Sequence, residues 1–343
     1  LSPLRRWLTF AAIMTPYVFY AYLWNTENYL RPYLAASLEL SRAQVSSFYT
    51  AQGLGALIGA VILSQVADRY GRRTTFALIS IAFGLAGMGV VFVHDYATAL
   101  VQRFAMGFFL GGVFGCAVSL YVGLFPPTVR GLLAGLVQLV YNGGDATLTW
   151  FGRYYAADSW QQVMVMGGVA AILAGVLVWL VVPNDRRIVP WGGHTYGAGT
   201  KVALSELFVH GRWKLTLRLA ALCGLNFFAF QSFNGWVSTY LKEIHHFDAD
   251  DVGKLLTILH VGSMVGAIAW GLAADRLGRR FNALGFVLAG ALIVVYLLTP
   301  GVWWALAAAG FAYGFCLVCS GVWGPYFAEL YPDHLRATAA SIF

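Results

Sequence analysis

The chain has 343 residues, of which 59% are hydrophobic and only 11% charged, with a formal net charge of +7. A soluble domain keeps roughly 25% charged residues, so this composition excludes a soluble globular protein and marks an integral membrane protein. In a soluble protein the positive balance would suggest nucleic acid; here its placement around membrane segments explains it, and no nucleic acid is expected.

Apolar runs of about 20 residues cross a bilayer as helices. Ten are expected, at 8–26, 47–66, 75–93, 98–122, 132–151, 160–182, 216–240, 252–273, 282–299 and 302–326. The first is long enough to span and stay, so it is not read as a cleaved signal. With the N-terminus placed in the cytoplasm, sixteen Lys/Arg fall in inner segments and five in outer ones. Arg103 lies within the fourth span and completes the 22. That bias predicts a multi-pass protein of the inner or plasma membrane with a cytoplasmic N-terminus.

In the first span, Tyr17, Tyr20, Trp24, Asn25 and Asn28 form a cluster dense enough to line a pocket. Glu27 and Arg31 read as a structural i,i+4 pair at its outer mouth. The fifth span holds an acid in an apolar run, YNGGDATLTW. Gln138, Asn142, Asp145 and Thr149 are spaced +4, +3 and +4, which puts them on one stripe of one helix. In lipid such a stripe must face the protein interior or a water-filled cavity. Asp145 lies about 20 Å from the inner end of its helix at 1.5 Å per residue. Two readings stand for it: a protonatable group on a cavity wall, or a permanent partner of Arg103 or Arg153.

A basic, Gly- and Pro-rich break at 183–215 separates the sixth and seventh spans. The expected organisation is an N-terminal membrane half at 1–183, a cytoplasmic linker at 184–215 and a C-terminal half at 216–343. The seventh span carries Asn226, Gln231, Asn234 and Ser238, for solute recognition or for interhelical hydrogen bonds. The eighth offers Thr257 and His260, and a buried His can carry a proton. Cys316 and Cys319 form a C-x-x-C inside an apolar segment, which reads as packing; no metal, cofactor or enzyme chemistry is expected.

Two motifs repeat. VADRYGRR (Val66 to Arg73) matches AADRLGRR (Ala273 to Arg280) at an offset of 207, and GLFPPTVRG (Gly123 to Gly131) matches ELYPDHLRA (Glu329 to Ala337) at 206. Repetition of two motifs at one spacing implies two homologous parallel halves with a solute path between them.

These residues resemble the major facilitator superfamily, whose halves each carry a G-x-x-x-D-R-x-G-R-R/K loop. The second copy is complete from Gly271, whereas the first has Ser64 in place of Gly. RFAMGFFLGG (Arg103 to Gly112) resembles the family's R-x-x-x-G-x-x-x-G motif. ELYPDHLRATAAS resembles a segment of the branches that carry organic acids, sugars and sialic acid with protons. The resemblance implies an all-α fold of two six-helix halves, of which ten helices and the start of an eleventh are visible. The chain opens on Leu1 and stops at SIF, so the last two helices are expected to be missing.

The resemblance also implies a gating charge network. Its members would be Asp68, Arg69, Gly71, Arg72, Arg73, Arg103 and Arg130 in the first half, and Asp275, Arg276, Gly278, Arg279, Arg280, Glu329 and Arg336 in the second. Asp68 would pair with Arg130 or with the N-terminus of an eleventh helix, and Asp275 with Arg336. Gly123 stands where the second half has Glu329, so asymmetric gating is expected. Relatives carrying organic acids have an Asp in the middle of the first helix; PYVFYAYLW has none, which points to Asp145 and, secondarily, His260 as proton-coupling groups.

The function expected is a monomeric secondary transporter that moves a small polar metabolite, an organic acid or sugar acid, by alternating access with proton symport. Substrate contacts are expected from Gln138, Asn142, Thr149, Asn25, Tyr20, Asn226, Gln231 and Asn234. A drug or metabolite exporter is the first alternative, disfavoured because the fifth helix lacks the exporters' Pro. A non-transporting sensor or degenerate fragment is the second.

Overall fold

The computed structural model describes residues 2–122, 124–126, 130–184, 211–319 and 330. Among the described residues all regular structure is helical. α1 (Pro3–Ser37) starts at Ser2, whose hydroxyl accepts from the Arg5 N–H, with Pro3 in the first turn where a missing N–H costs nothing. It runs for 35 residues, about 52 Å at 1.5 Å per residue, well past the expected end at 26. The polar run that set that end (Asn25, Thr26, Glu27, Asn28, Arg31) is buried. Turned toward protein rather than lipid, it continues the helix instead of stopping it. Glu27 and Arg31 therefore lie inside the bundle, 2% and 4% exposed, and not at an open mouth.

α2 (Arg42–Tyr70) opens with a capping box between Ser41 and Gln44. Gly71, at φ 98°, turns the chain directly into α3 (Arg72–Met88). α4 (Tyr96–Gly111) is capped by Asp95 and followed by α5 (Val113–Val122), which completes the fourth span. α6 (Arg130–Val181) covers the fifth and sixth spans, with a break at Ser159 (φ −153°, ψ 60°). The chain reverses there. On the way out Gly144 meets Val18 and Gly152 meets Tyr29; on the return the Tyr22 hydroxyl donates to the Val163 carbonyl at 2.9 Å.

In the second half, α7 (Trp213–Asn234) and α8 (Val237–Glu243) make the seventh span. α9 (Ala249–Leu277) is capped by Asp248, and α10 (Ala283–Leu298) and α11 (Trp303–Leu317) follow. The linker core, 185–210, and the Glu329 and Arg336 segment lie outside the described residues.

The internal repeat is visible in the packing. Where α2 crosses α4, a Cβ at Gly55 would strike the Phe104 carbonyl, one at Gly59 the Phe108 carbonyl, and one at Gly107 the Gln52 carbonyl. Where α9 crosses α11, Gly262 meets Phe311, Gly266 meets Phe315 and Gly314 meets Leu259. Every one of these six residues of the second half is its first-half counterpart plus 207, the offset of the loop motifs. Close backbone approach at small residues is how membrane helices gain packing energy without a hydrophobic drive. The turn glycines keep the offset too, Gly71 at φ 98° and Gly278 at φ 86°.

The two halves touch at the end of the bundle away from these loops. The Ser238 hydroxyl donates to the Tyr29 carbonyl at 2.8 Å, and the Arg31 guanidinium stacks over Trp236 at 4.3 Å. Lys242 sits over Tyr33 at 3.9 Å, and Arg153 faces Asp250 at 3.5 Å. Gly253 of α9 is pressed on α6, where a Cβ would lie 2.7 Å from the Thr149 carbonyl.

Candidate functional site

Between the halves, one turn below those contacts, lies a cavity of about 110 Å³. The predicted stripe on α6 forms one wall, with Gln138, Asn142, Asp145 and Thr149 all on it. α1 contributes Asn25, Asn28 and Tyr29; α7 contributes Asn226, Phe230 and Asn234; α9 contributes Leu256, Leu259 and His260. The wall is thus rich in amides, with a single carboxylate.

Asp145 is 5% exposed. Its Oδ1 accepts from the Asn25 amide at 2.6 Å, and its Oδ2 lies 3.8 Å from His260 Nδ1. The two arginines considered as permanent partners are engaged elsewhere. Arg103, 1% exposed, donates to the Thr26 hydroxyl at 2.9 Å and Gln52 Oε1 at 3.5 Å, and faces the Met164 sulfur at 3.7 Å. It stands mid-bundle against α1 and α2, away from the loop network in which it was expected. Arg153 reaches Asp250 and stacks on Trp150 at 3.6 Å and Tyr154 at 4.3 Å.

The other polar side chains are held by local bonds. Asn142 donates to the Gln138 carbonyl at 2.8 Å. Thr149 and Thr257 share a 2.8 Å hydrogen bond across the halves. Asn234 donates to the Tyr313 hydroxyl at 2.6 Å, which fixes its amide against α11. Two expected contacts are off the wall. Tyr20 packs among Tyr17, Trp24 and Tyr141 at 5.2–6.0 Å between ring centroids. Gln231 donates to Asn28 Oδ1 at 2.7 Å.

Tyr141 and Asn28 also belong to the bonded group around Asp145. The Tyr141 hydroxyl accepts from Asn25 at 3.1 Å, and Asn28 donates to Asn25 Oδ1 at 3.4 Å. The signal was present: Tyr141 is four residues before Asp145 on the same stripe, and Asn28 is three after Asn25.

Of the loop network, Arg72 donates to the Ser119 carbonyl at 3.4 Å and Arg73 to the Val182 carbonyl at 3.3 Å, with Arg73 also over Trp179 at 5.1 Å. Cations at helix C-terminal carbonyls are favourably placed. Arg69 and Arg276 lie in the last turns of α2 and α9 and are exposed. The side chains of Asp68, Arg130, Asp275, Arg279 and Arg280, with Glu329 and Arg336, are outside the described residues, as are the expected Asp68–Arg130 and Asp275–Arg336 pairs.

Two repeated helical halves around a buried polar cavity are the architecture of a membrane transporter. The Major Facilitator Superfamily model matches residues 9–343, and the chain belongs to that family. It is 24% identical over 316 residues to the cis,cis-muconate transport protein of Acinetobacter baylyi, covering 89% of this chain and 75% of that one. It is 25% identical over 333 residues to the arabinose-proton symporter of Bacillus subtilis, covering 84% and 71%. The fold matches the inward open conformation of the xylose transporter XylE from E. coli with a TM-score of 0.71, at 16% identity, over 98% of this chain and 85% of that one.

Proposed function

We propose that the chain is a proton symporter for a small polar metabolite, an organic acid or sugar acid, with the central cavity as substrate site and Asp145 as proton carrier. The observation that carries this reading is a carboxylate on the cavity wall, at the seam between the halves, whose described partners are an amide and an imidazole rather than a fixed cation. A buried ionised carboxylate is costly without a cation, and a proton is the alternative way to neutralise it. The relatives named for muconate and for arabinose with a proton support the class.

The electrostatics give an order of events. An acid anion about 4 Å from ionised Asp145 would be repelled by about 4 kcal/mol at an effective dielectric of 20. Protonation of Asp145 removes that term, so the proton binds before the anion. The amide wall then supplies both donors and acceptors for the carboxyl and hydroxyl groups of the solute. Alternating access follows if the halves rock about this site. The charge bias of the loops supports a cytoplasmic N-terminus and cytoplasmic D-R-x-G-R-R loops, with 184–215 as the linker between halves. The contacts between halves then lie on the outer side of the cavity and would hold an inward-facing state. The transporter acts as a monomer. The loop charge groups, among them Asp68, Arg130, Asp275 and Arg336, hold the inner gate in the opposite state.

The test is uptake into proteoliposomes under an imposed pH gradient, inside alkaline, with a panel of labelled aromatic, dicarboxylic and sugar acids and neutral pentoses. Symport of an acid predicts accumulation above equilibrium that collapses with a protonophore. Uptake of every transported solute that ignores the gradient overturns the reading.

A further inference from the structure

The amides beside Asp145 form an oriented chain from one half of the protein to the other. Asn25 Nδ2 donates to Asp145 Oδ1 at 2.6 Å, Asn28 Nδ2 to Asn25 Oδ1 at 3.4 Å, and Gln231 Nε2 to Asn28 Oδ1 at 2.7 Å. Asn25 and Asn28 belong to α1, Gln231 to α7 of the second half. An ionised carboxylate can only accept, so it dictates that Asn25 present its N–H. That leaves the Asn25 oxygen for an N–H of Asn28, and the Asn28 oxygen for an N–H of Gln231. The last group in the sequence carries the consequence: Gln231 Oε1 is buried and has no hydrogen-bond partner among the described residues.

A protonated Asp145 can donate. Its O–H then meets the Asn25 oxygen, Asn25 turns its N–H to Asn28, and Asn28 turns its N–H to Gln231 Oε1. Every link of the chain survives with reversed polarity and the orphaned acceptor gains a donor, in exchange for the 3.2 Å bond from Asn25 Nδ2 to the Ala21 carbonyl. No proton travels along the chain; it stays on Asp145 and the amides rotate. The titratable groups facing Asp145 are Tyr20 of α1, Tyr141 of its own helix and His260 of α9. Tyr141 touches the chain at Asn25, where its hydroxyl accepts at 3.1 Å and can donate instead once the Asn25 oxygen faces it; Tyr20 and His260 do not lie in the series of links.

We propose that Asn25, Asn28 and Gln231 are positioning residues that report the protonation state of Asp145 to α7, so that proton loading and the contact between halves are coupled through amide orientation. The idea rests on Asp145 being the proton site. It also makes Asn25 and Gln231 coupling residues rather than the substrate contacts that their residue types suggest.

The test uses the pH at which gradient-driven uptake by the full chain is half-maximal. Gln231→Glu places an acceptor opposite Asn28, which imposes the orientation that goes with protonated Asp145. The midpoint is expected to move to higher pH by about threefold to tenfold in proton concentration, the scale of one hydrogen bond. The new charge would act in the same direction through space, so the double variant Asn28→Leu/Gln231→Glu separates the two. Loss of most of the shift in the double variant supports the relay; a shift of equal size in both overturns it.

Asn28→Leu alone removes the bias toward the protonated form and should move the midpoint to lower pH. An unmoved midpoint overturns the proposal even if Gln231→Glu fails to insert. Asp145→Asn is measured beside them. Should it retain gradient-driven accumulation, the proton-site reading itself has failed. Should it lose accumulation while Gln231→Glu and the double variant agree, only the relay has.

Discussion

Thr149 of α6 and Thr257 of α9 share a 2.8 Å hydrogen bond across the two halves. Thr149 lies four residues beyond Asp145, and Thr257 three residues before His260. The pair therefore stands one helical turn from the proposed proton site, on the side where the halves meet. Gly253, one turn further along α9, allows the backbones to approach closely enough for that bond, since its Cβ position lies 2.7 Å from the Thr149 carbonyl.

Gly253→Val should prevent this seam from closing. With the four cysteines replaced and Thr257→Cys as reporter, labelling by a membrane-impermeant thiol reagent should rise about tenfold, the scale of a coupling near 1.4 kcal/mol. Unchanged labelling would show that the seam does not gate access.

Arg153→Met tests the adjacent latch. Arg153 is held between Trp150, Tyr154 and Asp250, and its loss leaves Asp250 with Lys254 alone among the described ion pairs. The expected result is a smaller increase in the same labelling, about threefold, in keeping with the 0.2–1 kcal/mol of a partly exposed ion pair. Substrate affinity in exchange assays should be unchanged, because Arg153 does not line the cavity.

The repeat predicts paired stability effects. Gly59→Val and Gly266→Val drive a side chain into the carbonyls of Phe108 and Phe315 at equivalent helix crossings. Each should destabilise its half by about 1–3 kcal/mol, as overpacking does. Thermal unfolding in detergent should show the two variants lowered by similar amounts.

Asp95 offers a pH dependence whose sign follows from its bonds. The N–H and hydroxyl of Thr98 hold its carboxyl below the usual carboxylate range. Its capping contribution is then fully present above that range and lost as the pH falls through its folded value. The stability difference between Asp95→Ala and the parent should be largest near neutral pH and vanish in strong acid.

Much of this arrangement was legible in the sequence because membrane helices obey simple rules. A polar stripe at +4, +3 and +4 had to face inward, and Gln138, Asn142, Asp145 and Thr149 do line the cavity. The 207 offset of the loops extends to individual glycine contacts. The first helix runs past its expected end because apolar runs report lipid exposure. Where a helix turns polar residues toward its neighbours, as at Glu27 and Arg31, hydropathy falls while the helix goes on. Partner choice was also hidden. Asn25 and Gln231 resemble substrate ligands by type, and only packing shows that each is bonded within the protein.

The most direct test of the account is Asp145→Asn in proteoliposomes, with gradient-driven uptake and substrate exchange measured on the same preparation. Proton coupling through Asp145 predicts that accumulation driven by the pH gradient is lost while exchange across the membrane is retained, because the site still binds and the halves still rock. Undiminished accumulation in this variant would contradict it.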